Sequence, residues 1–323
     1  MLLAATSEGV YRADRLPFES VEHVFEDGAV RQLHTDTGGS VTFAATDAGL
    51  FRTVDGGDTW RALGVPVADV YSVLATDDRL YAGVRPAGIF VSERREEVWN
   101  STARDELWDR LAGFEQLAAA SDWPTNPHHE SARVRTLASP PGSPDVLLAG
   151  VEVGGLVVSF DGGERWHEVP SVPDDVHHVL PITGERWVVS CGTGGPADDG
   201  GVFETRDAGE TWTRRDTGAY RYVRESCYRD RLYTAGNRTA PLWIPPDAAL
   251  FVETADSGLE SVPYPGVPTS VVISWTTLDD ALLAGTNDGR ILRGQDDEWR
   301  EVGAVPVEAD DQRAFGVRSL TAR

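Results

Sequence analysis

The chain has 323 residues and a formal net charge of −23, and all 29 basic residues are arginines. Its apolar runs are short and interrupted by Gly, Asp and Pro, which excludes a transmembrane helix. Nucleic acid is a poor partner for so acidic a protein, because phosphate binding requires clustered positive charge. Cys191 and Cys227 fall at the far ends of two predicted strands, so we expect two buried free thiols.

The first residues of the chain, 1–10, are apolar but contain no basic residue. A secretory signal peptide normally begins with a positively charged segment, so we do not expect one here. The segment instead leads directly into the repeated sequence described below. We therefore expect a cytoplasmic protein.

One short pattern, [ST]-x-D-x-G-x-x-W, occurs three times, at 53–60, 159–166 and 205–212. Asp accepts backbone hydrogen bonds within a turn, and Gly supplies the positive φ that a tight turn requires. The Trp that follows has a large apolar ring to bury and begins the return strand. The pattern predicts a hairpin turn, which we call the Asp turn. Degenerate copies occur at 92–99, 254–258 and 293–299.

Each Asp turn lies within a longer repeat that reads as four strands. The first strand of each repeat begins at a valine: Val30, Val70, Val134, Val176, Val223, Val271 and Val317. Most steps between these valines are about 40 to 50 residues, the period of a four-stranded propeller blade. The longer step from Val70 to Val134 contains an insertion.

The two ends of the chain complement each other. Residues 2–6 match 282–286, the second strand of a repeat, and 317–320 supply the missing first strand. Sharing one blade between both ends closes the ring and removes exposed edges. We predict an all-β, seven-bladed propeller forming one domain over 1–323. From blade 1 to blade 7, the predicted boundaries are 317–323 with 1–29, 30–69, 70–99, 134–175, 176–219, 220–268 and 269–316.

The insertion, residues 100–133, departs from the repeat. Apolar residues recur at helical spacing between Ala103 and Ala120, and Pro124 and Pro127 prevent the helix from continuing. A helix with one apolar face must bury it against the blades. Because the insertion links the last strand of one blade to the first of the next, we expect it opposite the Asp turns, beside the central channel.

The pattern and its setting resemble the BNR/Asp-box repeat propellers. These include sialidases, xyloglucan-degrading glycosidases, sortilin-type receptors and photosystem II assembly factors. The resemblance covers nearly the whole chain, and it implies that the boxes are structural turns remote from any active site. The chain lacks the Arg-Ile-Pro sequence of sialidases, so no catalytic residues are carried over. The residues that match the structural Asp-box are Asp55, Gly57, Trp60, Asp161, Gly163, Trp166, Asp207, Gly209 and Trp212.

The residue after the first valine of each inner strand is a candidate for ligand binding, because equivalent strands place it near the channel mouth. These residues are Arg31, Tyr71, Arg135, His177, Arg224 and Arg318. Guanidinium groups bind carboxylate or phosphate bidentately, so the ring predicts an anion site. Alternatively, each arginine pairs with a carboxylate such as Asp69 or Glu225, or with carbonyls between blades. We expect Trp123, His128 and His129 of the insertion to cover the same pocket.

Two other chemistries remain as alternatives. His128, His129 and His177 are weak candidates for a metal site, since imidazole and carboxylate bind zinc, iron or manganese. A glycoside hydrolase would instead need two facing carboxylates. The loops of the same face offer Asp47, Glu152, Asp198, Asp199, Asp247 and Asp288, with Trp123 and Trp243 as flanking aromatics.

The sequence therefore supports two functions. The first is a non-enzymatic binding or assembly scaffold that recognises a protein partner or an anionic ligand on the insertion-bearing face. The second is a hydrolase of sialidase-like architecture that uses the loop carboxylates. We expect a monomer that needs no cofactor and does not insert into membranes.

The absence of lysine and the dense carboxylates resemble proteins of halophilic archaea that accumulate salt. Molar salt screens the repulsion between surface carboxylates. We therefore expect the free energy of unfolding to rise steeply between low and molar KCl, measured by chemical denaturation at each concentration. A flat or falling response would contradict the halophilic origin.

Overall fold

The computed structural model describes residues 1–36, 38–93, 107–121, 123, 131–192, 199–240, 247–295, 298–308 and 315–323. Seven antiparallel sheets of four strands form the blades of a closed ring, which confirms the predicted seven-bladed β-propeller. The described residues contain one α-helix, α1 (Ala112–Ala120). No described helix has the length and apolarity to cross a membrane.

The strands follow the repeat, with the innermost strand first and the outermost last in each blade. In chain order they are β1 (Leu2–Thr6), β2 (Gly9–Ala13), β3 (Glu22–Phe25), β4 (Val30–Thr35), β5 (Thr42–Thr46), β6 (Gly49–Thr53), β7 (Arg61–Ala62), β8 (Val70–Ala75), β9 (Arg79–Val84), β10 (Gly88–Glu93), β11 (Asp109–Arg110), β12 (Arg133–Ala138), β13 (Leu147–Glu152), β14 (Gly155–Ser159), β15 (His167–Glu168), β16 (Val176–Pro181), β17 (Trp187–Cys191), β18 (Gly201–Thr205), β19 (Thr213–Arg215), β20 (Tyr222–Tyr228), β21 (Leu232–Asn237), β22 (Ala248–Glu253), β23 (Leu259–Val262), β24 (Val272–Leu278), β25 (Ala281–Thr286), β26 (Arg290–Gln295), β27 (Glu298–Ala304) and β28 (Ser319–Ala322). Blade 1 is β28-β1-β2-β3, blade 2 is β4 to β7, and each later blade takes the next four strands.

The ring closes where the two ends of the chain pair. Strand β28 pairs antiparallel with β1, with Leu2 opposite Ala322 and Ala5 opposite Ser319. Beyond the strands, the Met1 amino group donates to the Arg323 carbonyl at 2.8 Å. Leu2 and Leu320 then pack in one cluster with residues of blade 7. The predicted closure is therefore confirmed.

The three Asp turns share one hydrogen-bond pattern. In the first, Thr53 Oγ1 donates to Asp55 at 2.8 Å and accepts from the Gly57 amide at 2.9 Å. Ser159 and Thr205 do the same in the other two turns. In the second turn, hydrogen bonds from the Arg165 backbone and side chain lower the pKa of Asp161 to about 2. The pattern is thus a structural turn at the outer hairpin of blades 2, 4 and 5.

Adjacent blades are locked by a valine packed onto a glycine. The Cβ of a side chain at Gly83 would lie 2.6 Å from Val134 Cγ1 of the next blade, and one at Gly285 would lie 2.5 Å from Val317 Cγ1. Both valines are fully buried. The glycine therefore leaves the space that the neighbouring inner strand fills.

The outer part of blade 3 differs from the prediction. Its last strand is β11, at Asp109–Arg110, within the segment assigned to the insertion, whereas residue 99 lies outside the described residues. Trp108 precedes β11 as Trp60 precedes β7, and its indole donates to the Leu63 carbonyl at 2.9 Å. The degenerate copy at 92–99 has the Ser and Trp spacing of the pattern, and this spacing predicted the last strand of blade 3 too early in the chain.

The helix is also shorter and lies elsewhere than expected. Phe114 of α1 contacts Trp166 edge-to-face at 5.4 Å, beside the Asp turn of blade 4. Ser121 and Trp123 both donate to Glu168 of β15, the outermost strand of that blade. The described part of the insertion therefore packs along the outer side of blade 4 rather than over the channel.

The predictions for the two cysteines and for the inner strand of blade 7 are confirmed only in part. Cys191 and Cys227 are free, as predicted, but only Cys191 is fully buried. The inner strand of blade 7 begins at Val272, one residue later than predicted.

We expect deletion of residues 317–323 to destabilise the whole ring, because blade 1 would lose its inner strand and expose the edge of β1. Thermal unfolding of the full and truncated chains tests this. An unchanged melting temperature would contradict closure by β28.

Candidate functional site

The inner strands carry a repeated irregularity that aims one side chain into the channel. Pairing between the first and second strands of a blade skips a residue after the leading valine. Such β-bulges re-aim a side chain relative to the regular ladder. The skipped residues in blades 2 to 7 are Arg31, Tyr71, Arg135, His177, Arg224 with Glu225, and Ile273.

The bulged residues of blades 2 to 6 line a cavity of about 150 Å³ inside the ring, whereas Ile273 of blade 7 packs in a hydrophobic cluster. The structure thus brings together all six channel residues singled out from the sequence. The full lining is Arg31, Gln32, Tyr71, Arg133, Arg135, Thr136, His177, His178, Arg224, Glu225, Phe315 and Arg318. Five of these side chains are arginines and one is a carboxylate, in a protein whose overall charge is strongly negative.

Tyr71 organises one group of arginines, which we call the Tyr71 cluster. The guanidinium carbons of Arg31, Arg133 and Arg85 lie 4.9, 5.1 and 5.7 Å from the centre of its ring. Asp69 pairs with Arg85 at 2.5 Å and with Arg31 at 3.7 Å. Aromatic faces attract cations, so Tyr71 holds several positive charges close together.

Phe315 organises a second group, the Phe315 cluster. The guanidinium carbons of Arg224 and Arg318 lie 5.2 and 5.7 Å from its ring centre. Arg224 is only 9% exposed and donates a long hydrogen bond of 3.4 Å to the Tyr222 hydroxyl. None of the carboxylates in the described ranges lies within ion-pair distance of Arg224. Burial, followed by repulsion from Arg135, lowers its pKa.

Glu152 lies between two arginines of its own blade. Arg133 contacts one carboxylate oxygen at 2.5 Å and Arg135 contacts the other. Burial would raise the pKa of Glu152, but Arg135 and Arg133 outweigh it and hold the pKa well below its usual range. Nε and Nη1 of Arg133, a residue only 4% exposed, have no hydrogen-bond partner among the described residues.

The same region contains a set of metal-ligand types. Ligand atoms of Glu152, Asp175 and His177 lie within 4.8 Å of one another. His177 Nδ1 donates to the Val223 carbonyl at 2.8 Å, which turns Nε2 toward Asp175 at 3.3 Å. The two arginines on Glu152 oppose a cation here, so these residues fit a divalent metal poorly.

Glu225 and His178 are titratable groups on the cavity wall. Glu225 accepts a hydrogen bond from the Trp275 amide at 3.1 Å, but removal from solvent raises its pKa to about 7. Burial, together with Arg135, lowers the pKa of His178 to about 4. His178 is therefore neutral near pH 7, while Glu225 changes charge there.

The remaining predicted residues are not part of the described cavity. Trp123 lies at the outer strand of blade 4, and His128, His129, Asp198 and Trp243 lie outside the described residues. Three loop carboxylates are committed to local contacts. Asp47 accepts from the Ala29 amide at 2.9 Å, Asp247 pairs with Arg238 at 2.6 Å, and Asp288 accepts from Ser270 at 2.6 Å.

Solved structures share this fold. The GH74 enzyme of Niastella koreensis aligns with a TM-score of 0.62 and 13% identity, over 84% of this chain and 45% of that one. The GH74 xyloglucanase of Xanthomonas campestris gives 0.59 and 19%, over 90% and 46%. YCF48 bound to D1 peptide gives 0.55 and 15%, over 88% and 83%. The structural alignments establish a common fold at low sequence identity.

Among curated proteins, an oligoxyloglucan-reducing end-specific xyloglucanase of Emericella nidulans is 27% identical over 185 residues. The match covers 54% of this chain and 22% of that enzyme. The chain thus spans less than half the length of the glycosidases that it resembles. No protein-family model matches it.

The raised pKa of Glu225 predicts a pH dependence of stability. The neutral carboxyl is favoured in the folded state, so its contribution is fully present below the ordinary pKa of 4.5 and is lost as pH rises through about 7. We expect the free energy of unfolding to fall by about 3 kcal/mol across this window. Glu225→Gln removes this pH-dependent part of the free energy of unfolding. Chemical denaturation of the wild type and the variant at several pH values measures the change. Parallel pH profiles would contradict the assignment.

Proposed function

We propose that this propeller is a non-enzymatic binding protein that holds an anionic group in its arginine-lined channel. The observation that carries the proposal is Arg224, a buried guanidinium without a described carboxylate partner. An uncompensated buried charge is costly, and a bound anion would remove that cost. The free nitrogen atoms of Arg133 add donors at the same cavity.

The contacts separate arginines that join blades from arginines available to a ligand. Arg31 of blade 2 reaches Asp69 ahead of blade 3, so this pair helps to hold two blades together. Arg133 and Arg135 instead pair with Glu152 inside blade 4. Arg224 joins no other blade through a carboxylate in the described part of the chain. The arginines of blades 4 and 6 are therefore the better ligand-binding candidates.

The ligand is either a small anion or an acidic group of a protein partner. The YCF48 structure with a D1 peptide has the same fold and supports a protein partner. The cavity volume of about 150 Å³ suits one anionic group rather than a long segment. Pockets for drug-sized ligands are usually about 300–1,000 Å³.

A glycoside hydrolase is the second candidate, and one observation favours it beyond the xyloglucanase match. Glu152 has a lowered pKa and Glu225 a raised one, as in pairs where one carboxylate is ionised and the other donates a proton. Release of reducing sugar from xyloglucan oligosaccharides, abolished in Glu225→Gln, would support this function over binding alone.

We expect Arg135→Gln and Arg224→Gln each to weaken binding of inorganic phosphate by about tenfold or more, since a charge-assisted hydrogen bond contributes about 1.5–3 kcal/mol. Isothermal titration against matched KCl measures this effect. The melting temperature of Arg224→Gln should be unchanged or raised, because an unpaired buried charge is removed.

Arg229→Gln is the matched control, because Arg229 pairs with Asp280 on the surface at 3.3 Å and does not line the cavity. It should bind phosphate like the wild type. If the channel arginines only hold blades together, both channel variants will instead unfold at lower temperature, with binding lost as a consequence.

A further inference from the structure

We infer that the channel selects a dianion, such as a short dicarboxylate, whose two charged ends bridge the Tyr71 cluster and the Phe315 cluster. This inference rests on the proposed anion binding and specifies the charge and shape of the ligand. It follows from where the two clusters lie in the ring, from their charge and from the space between them.

The two clusters lie on opposite sides of the channel. The inner strands of successive blades contact one another around the whole ring. The Tyr71 cluster comes from blades 2, 3 and 4 and is centred on blade 3. Arg224 and Arg318 belong to blades 6 and 1, which flank blade 7. In a seven-membered ring, blade 7 is three steps from blade 3 in one direction and four in the other, so the centres of the clusters are opposed, although Arg318 of blade 1 and Arg31 of blade 2 come from neighbouring blades.

The charge around the cavity matches two negative charges better than one. Arg31 and Arg85 share Asp69, and Arg133 and Arg135 share Glu152. Each pair therefore leaves one positive charge in excess, and Arg224 adds a third. The Asp175 carboxylate beside Glu152 removes one of these. The excess among the described residues is therefore two with Glu225 neutral and one with Glu225 ionised, without counting Arg318.

The size of the cavity suits a short ligand. A cavity of about 150 Å³ has the size of one that holds a single six-carbon ring such as benzene. A close-packed dicarboxylate of about four to six carbons occupies a similar volume. An oligosaccharide does not.

The test compares dicarboxylates with monocarboxylates of equal carbon number by isothermal titration, at a pH below the Glu225 pKa of about 7 and constant ionic strength. The probes are succinate against butyrate and adipate against hexanoate. We expect at least one dicarboxylate to bind about tenfold or more tightly than its partner, because two charge-assisted contacts replace one. Arg133→Gln and Arg224→Gln, one from each cluster, should each reduce that preference to about threefold or less.

Arg229→Gln again serves as the control and should retain the preference. Thermal unfolding of each variant establishes that it is folded, and Tyr71→Leu, which removes the shared aromatic face, replaces Arg133→Gln if that variant does not fold. Equal affinity for succinate and butyrate, both lowered by Arg224→Gln, would overturn the bridging inference and leave the proposed function standing. If neither carboxylates nor phosphate bind the wild type, both are overturned.

Discussion

The β-bulge at the start of the inner strand in blades 2 to 7 is the constraint on which the site depends. A bulge inserts one residue that the ladder does not pair, and that residue faces the channel. The valine just before it faces the opposite way, into the space above a glycine of the preceding blade, as Val134 does over Gly83. One local feature therefore both locks neighbouring blades and presents a functional side chain. Repetition around the ring brings together residues far apart in the sequence.

The residue at the bulged position can therefore differ between blades while the packing between blades stays the same. Hydrogen bonds between inner strands use residues beside the bulge, such as Ser72 Oγ to the Val134 carbonyl at 2.8 Å and Ser274 Oγ to the Val317 carbonyl at 2.6 Å. The bulged position carries Arg, Tyr, His or Ile without disturbing these contacts. Rigid blades thereby hold charged groups in a geometry that they would not keep on flexible loops.

The repeat explains why the fold and half of the site were predictable. The valine, the small residue of the next strand and the Asp turn each recur in the repeats. An error in placing one strand therefore does not change the placement of the others. Arg135 and Arg224 followed from the same register. Glu225 did not, because the wider bulge of blade 6 leaves it unpaired beside Arg224, and a regular alternation of faces does not anticipate that. Arg133 was missed because it precedes the valine from which each repeat was aligned. Phe315 lies in an irregular segment before β28, where no pattern constrains its direction.

The last strand of blade 3 was not predicted correctly from the same pattern. The segment 92–99 has the Ser and Trp of the Asp turn but lacks its Asp and Gly, so its sequence carries the spacing without the residues that form the turn elsewhere. Trp108 fills the structural position instead and reaches the Leu63 carbonyl. Spacing alone could not distinguish two tryptophans. Helical periodicity likewise identified the apolar face of α1 but not which surface covers it, since that depends on the shape of blade 4.

The acidic exterior and the arginine-rich channel act over different distances. The net charge of −23 repels an approaching anion through solvent, whereas the guanidinium groups act at hydrogen-bond range within the protein. At molar salt the Debye length is about 3 Å, so the repulsion vanishes while bidentate contacts remain. Chloride competes for single guanidinium groups under those conditions, but it cannot span two clusters. High salt therefore makes the separation of charges across the channel, rather than their number alone, the basis of selectivity.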